Sequence, residues 1–164
     1  LTSLKVFSNT TPFIALACIN QTAILQKLFG KIHVAESVLA ECEEGGKIVV
    51  PDLRKLSWIE ALPDAENISL PVQFELDQGE KQTIALALKY HADMVIIDER
   101  MGRRMAEYFG LHVTGTLGVL AKAKASGLIP SFFDAANGMS EQGIFYNNGL
   151  IVRIAKHLGE FPSP

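Results

Sequence analysis

The stretch from Gly79 to Ile97 constrains this chain more than any other. Glu80, Thr83, Ile84 and Ala87 fall at helical spacing, so Gly79 to His91 is expected to form a helix with one apolar face. Directly after it, Asp93-Met94-Val95-Ile96-Ile97 is an apolar run too short for a helix of its own, and it predicts a buried strand. A strand of this kind needs cover on both faces, which a parallel sheet between helices provides.

The rest of the chain supplies the partners. Leu4-Lys5-Val6-Phe7 predicts a first short strand, followed by a helix with Pro12 in its first turn that continues from Phe13 to Ile19. Asn20 is the expected N-cap of a second helix, Gln21 to Phe29, with Gly30 as its stop. Ile32-His33-Val34 predicts a second strand, and Glu36 to Glu44 a third helix ended by Gly45-Gly46. Lys47 to Leu70 is the least regular segment, with an edge strand near Trp58 to Leu62. After Asp98, a helix from Glu99 to Phe109, a brief strand at His112-Val113 and a helix from Thr116 to Ser126 follow in turn. From about Ser131 the pattern is helical, with a break near Gly143 to Gly149.

Strands alternating with helices imply an α/β fold of three layers, α/β/α, with a central, mainly parallel sheet of about five short strands. A length of 164 residues suits one domain spanning 1–164, with a helical tail from about residue 130. In such sheets ligands collect at the carboxyl ends of the strands, where the strand order reverses. Attention therefore falls on Ser8-Asn9-Thr10, Asp98-Glu99-Arg100 and Thr114-Gly115-Thr116.

Four residues are candidates for chemistry, and each has a plainer alternative. Asp98 ends a buried strand, but it could equally cap the helix from Glu99. Glu80 shares a face with apolar residues, yet Asp77-Gln78-Gly79-Glu80 also matches a capping box. Glu41 borders the apolar stripe of the third helix, and Glu36 and Glu43 border it nearly as well, so periodicity does not choose among them. Asn9 closes the first strand, where capping the next helix would explain it. Arg100, Arg103 and Arg104 could grip phosphate beside Asp98, or simply pair with Glu99 and Glu107 on a solvated face.

Composition excludes several classes. The formal net charge of −3 gives no global attraction to nucleic acid, so any such contact needs a local basic patch or bound cations. The two cysteines, Cys18 and Cys42, lack zinc or redox spacing, and free thiols in a reducing compartment are expected. The longest apolar run, Thr11 to Ile19, is too short to span a membrane. No basic-then-apolar leader is visible, and a cytoplasmic protein with no membrane partner is expected.

The order of these signals resembles the PIN-domain superfamily, including the VapC-like toxins of toxin–antitoxin pairs. It is most similar to a branch described as predicted nucleic-acid-binding proteins containing a PIN domain. The segments that carry the likeness are Val6 to Leu16, Glu36 to Glu41, Gly79 to Ala87, Val95 to Arg100 and Val113 to Leu120. The resemblance implies a cluster of acidic residues at one end of the sheet. The family's helix Glu falls on Glu41, its helix-start acid on Glu80, its strand-end Asp on Asp98 and its last site position on Thr116, while Asn9 stands where the first strand of the family ends in Asp.

The function implied is a metal-dependent endoribonuclease that hydrolyses RNA phosphodiesters, as the toxin of a toxin–antitoxin pair. Mg²⁺ or Mn²⁺ would be held by Asp98, Glu41, Glu80 and Asn9, with Thr10 and Thr116 beside the ion and Arg100, Arg103 and Arg104 on the RNA. A homodimer and an antitoxin protein are the further partners implied. With Asn9 neutral, three carboxylates remain, and one firm metal site is expected. The rival is a weakened PIN module that only binds RNA or a protein. A receiver-like domain phosphorylated on Asp98 is a third reading, disfavoured because Ser8-Asn9 stands where a receiver needs an acidic pair.

Overall fold

The structure, a computed structural model, describes residues 4–70 and 75–161. Five parallel strands form one sheet in the order β3-β2-β1-β4-β5: β1 (Val6–Ser8), β2 (Ile32–Ala35), β3 (Ile59–Leu62), β4 (Met94–Ile96) and β5 (Val113–Thr114). β1 lies at the centre, with Phe7 in register with His33 of β2 on one side and with Val95 of β4 on the other. The chain winds outward from β1 through β2 to β3, then returns past β1 to β4 and β5. The order therefore reverses between β1 and β4, and the crevice at that point is where ligands bind in such sheets.

Among the described residues, eight helices cover the sheet: α1 (Thr10–Cys18), α2 (Ala23–Phe29), α3 (Glu36–Glu44), α4 (Gln78–Lys89), α5 (Arg100–Tyr108), α6 (Thr116–Ala125), α7 (Phe132–Glu141) and α8 (Asn148–His157). The result is the expected three-layer α/β/α arrangement. α4 packs against β1, β2 and β4, and α6 packs against α1, α2, α7 and α8. Val6, Phe7, Val95, Ile96 and Ile97 are fully buried, as a doubly covered parallel sheet requires.

Local chemistry sets most boundaries. Gly45 follows α3 at φ 75° and Gly30 follows α2 at φ 77°, the left-handed geometry that glycine adopts without strain. Asp77, Ser131 and Asn147 cap α4, α7 and α8 through their side chains. One expected cap is corrected: Thr22 holds the N-cap position of α2, and Asn20 sits at φ 56° in the turn that closes α1.

The expected edge strand is β3, preceded by a 3-10 turn, Leu53–Lys55, that periodicity did not signal. The expected break in the tail falls between α7 and α8. Phe132 is fully buried, Phe133 packs edge-on against Phe161, and Phe145 is 77% exposed. Cys18 and Cys42 are free thiols. Among the described residues no single helix is long and apolar enough to cross a membrane.

Candidate active site

The centre lies where β1 and β4 end. Asn9 follows β1 with extended backbone and stands at the N-cap position of α1, but its side chain makes no capping bond. The expected capping role is therefore replaced by a longer-range one. Asn9 is 2% exposed, and its Nδ2 donates to Glu99 Oε2 over 3.3 Å. Thr11 Oγ1 donates to the other oxygen, Oε1, of the same carboxylate over 2.5 Å. Asn9 Oδ1 is buried with no hydrogen-bond partner among the described residues. Leaving such an acceptor unsatisfied costs about 1–3 kcal/mol, so it calls for a ligand or a function.

Tertiary structure breaks the tie among the acids of α3. Glu36 and Glu43 turn to Arg54 and pair with it. Glu41 points to the sheet end, where its Oε2 accepts from Thr10 Oγ1 at 2.6 Å and its Oε1 from the Gly79 amide at 3.1 Å. A Cβ placed on Gly79 would lie 2.6 Å from Glu41 Oε1 and 3.1 Å from Asn9 Oδ1. The start of α4 thus approaches both oxygens closely only because residue 79 has no side chain.

Glu80 is 6% exposed in the first turn of α4. Its amide donates to Asp77 Oδ1 at 2.8 Å, so the capping alternative is real at the backbone. Its carboxylate reaches α5: a Cβ on Gly102 would lie 3.2 Å from Glu80 Oε2. Burial, and then the neighbouring charges of Asp77, Glu99 and Glu41, push the Glu80 carboxyl up to about 8. Position 80, reached from sequence through its helical face, thus shares its surroundings with Glu41 and with Glu99, which sequence reasoning passed over.

Asp98 faces a different set of partners. Its Oδ1 accepts from the Thr116 amide and its Oδ2 from the Thr116 hydroxyl, each at 2.7 Å, and Tyr146 donates its hydroxyl to Oδ2 at 2.7 Å. Burial and the Asp98 charge hold the Tyr146 phenol protonated beyond its ordinary range. The expected cap of α5 is corrected: Glu99 occupies that N-cap position, and Asp98 instead receives the first amide of α6. Tyr146 was missed as a partner of Asp98; its one signal was an aromatic residue within a helical break.

Arg103 Nη1 donates to the Ile97 carbonyl at 3.1 Å, and a Cβ on Gly115 would lie 2.8 Å from both Arg103 Nη1 and Asp98 Oδ1. Arg100 and Arg104 are exposed. Among the described residues none of the three arginines forms an ion pair, so the alternative in which they pair with Glu99 and Glu107 is corrected.

The sheet end therefore carries two hydrogen-bonded sets, one linking Asn9, Thr10 and Thr11 to Glu99 and Glu41, the other linking Thr116 and Tyr146 to Asp98. Among the described residues no three His, Cys, Asp or Glu side chains stand close enough to hold a metal ion by themselves. The donor chemistry nevertheless fits a hard divalent cation. Every donor is an oxygen, one of them is a buried acceptor without a partner, and Mg²⁺ commonly takes one or two carboxylates and keeps several waters.

A family model described as DUF3368, a PIN domain, matches residues 5–160. No curated protein matches the chain.

Proposed function

Since the chain belongs to the DUF3368 family of PIN domains, we propose that it is a divalent-metal-dependent endoribonuclease. A PIN domain is a nuclease-type, generally nucleic-acid-binding fold that depends on divalent metal. The observation that carries the reading here is the buried, unpartnered Asn9 Oδ1, beside Glu41 and close to the start of α4. Asn9, Glu41 and Glu80 would hold the cation. Asp98, the fourth expected ligand, is bonded through its oxygens to Thr116 and Tyr146 and would join them only by giving up one of those bonds. When bound, the cation supplies Lewis-acid polarisation of a phosphate oxygen and a lowered pKa for water.

The chain's own groups do the rest. Thr10 and the Gly79 amide hold Glu41 in place. Without the cation, burial and the neighbouring acids hold the Glu80 carboxyl up at about 8, and a bound cation would draw that proton off. Asp98 ties the end of β4 to α6 and to Tyr146, which sets the rim of the centre. Arg100 and Arg104 on α5, which pair with no carboxylate among the described residues, would meet the phosphate backbone, and Arg103 stands beside Asp98.

The test is incubation of the purified protein with a mixed set of labelled RNAs in Mg²⁺, Mn²⁺ or EDTA. Cleavage is expected with metal, none with EDTA, and a loss of at least ~100-fold in Glu41→Gln, on the scale of removing a preorganised polar group. A parent silent in every metal would sink the catalytic reading. The second reading, a module that binds RNA or protein without cutting, draws on Asn9: it brings an oxygen but no charge. If only Asn9→Asp cuts, binding is the native function. The toxin role, an antitoxin partner and a homodimer are the finer parts of the proposal. Growth arrest on expression and mass by light scattering test them.

A further inference from the structure

The amide of Asn9 has two unlike ends, one nitrogen that donates and one oxygen that accepts, and its chemistry toward a cation depends on which end faces the centre. Glu99 decides this. An ionised carboxylate only accepts, so the end of Asn9 that meets Glu99 Oε2 at 3.3 Å must be the nitrogen. The reverse orientation would set oxygen against oxygen. Turning Nδ2 to Glu99 leaves Oδ1 on the side of Glu41 and Gly79, buried and unpartnered.

Glu99 is itself fixed. It stands at the N-cap position of α5 with extended backbone, makes no capping bond there, and its second oxygen takes the Thr11 hydroxyl. We infer that Glu99 is a positioning residue that aims the Asn9 carbonyl oxygen at the cation. The inference rests on the metal reading above. It assigns Glu99 to the outer shell of the centre, where a hydrogen-bonded carboxylate orients a ligand.

The test is a double-mutant cycle read as the Mn²⁺ dissociation constant of the full chain, by calorimetry or electron paramagnetic resonance. In the parent, Glu99→Gln offers its own N–H to Asn9 and lets the amide turn, so affinity should fall about 10- to 100-fold. In the Asn9→Asp background the side chain at position 9 has two equivalent oxygens and needs no aiming. There Glu99→Gln should cost no more than the few-fold loss that removing one nearby negative charge brings, well short of the loss in the parent.

Equal losses in both backgrounds would show that Glu99 binds the ion itself and would overturn the positioning role. No loss in the parent would overturn it as well. A parent that binds no Mn²⁺ would instead refute the metal reading, and this inference with it. If Glu99→Gln does not fold, Thr11→Ala, which frees one Glu99 oxygen, should give a smaller loss of the same sign. That loss too should vanish with Asn9→Asp, and if it persists the inference fails.

Discussion

Thr116 donates twice to Asp98, its amide to Oδ1 and its hydroxyl to Oδ2, each over 2.7 Å. The pair joins the end of β4 to the first turn of α6. A hydrogen bond to a charged acceptor contributes about 1.5–3 kcal/mol. Thr116→Val keeps the shape and drops the hydroxyl, so its unfolding free energy in urea should fall by about that amount. A variant as stable as the parent would show that this bond carries no weight. Asp98→Asn should cost more, because a single amide oxygen then faces the three donors. Its cleavage must be compared with the parent at a temperature where both are folded.

Tyr146→Phe removes one donor to Asp98 Oδ2 and leaves Thr116 in place. Stability should drop by about 1 kcal/mol, with RNA cleavage undiminished. Loss of cleavage in step with Asp98→Asn would show that Tyr146 does more than steady a carboxylate.

Glu80 makes the metal-free protein sensitive to pH. Its carboxyl moves from 4.5 to about 8 on folding. Below 4.5 both states hold the proton, and burial of the group has no ionisation cost. Between those values the folded state binds more protons than the unfolded one, so stability falls as pH rises through the window. In EDTA, the melting temperature should decline from about pH 5 to about pH 9, and Glu80→Gln should flatten that decline. An identical slope in Glu80→Gln would place the titrating group elsewhere.

Gly79→Ala separates site from fold. Alanine is the better helix former by about 0.5–1 kcal/mol, but its Cβ would lie 2.6 Å from Glu41 Oε1. The flexible end of Glu41 must swing away. Mn²⁺ affinity and cleavage should fall while the urea midpoint holds or rises. Retained affinity would mean that Glu41 does not hold the ion.

Periodicity and punctuation made the layers legible. Glu36 to Glu44 ends where Gly45 turns left-handed, and the run after Ala92 is the strand beside β1. The same signals could say that Glu41 and Glu80 lie near an apolar face, because a helix face is a local property. They could not say which acid meets which partner. Glu36 and Glu43 were set aside only by Arg54, and Tyr146 reaches Asp98 from 48 residues away. Glu99 looked like the first residue of a helix. Its extended backbone sends the side chain back to β1, a geometry with no local signature. Asn20 misled because asparagine suits both an N-cap and a left-handed turn.

The central place of β1 has a consequence for the growing chain. β1 emerges first but keeps one edge open until Met94–Ile96 arrives, and Asn9 waits 90 residues for Glu99. Contacts of such separation close late and slow folding. On the ribosome the hydrogen bond between Asn9 and Glu99 therefore cannot form until β4 and the start of α5 are made. The amide of Asn9 is left unaimed for most of synthesis by topology alone.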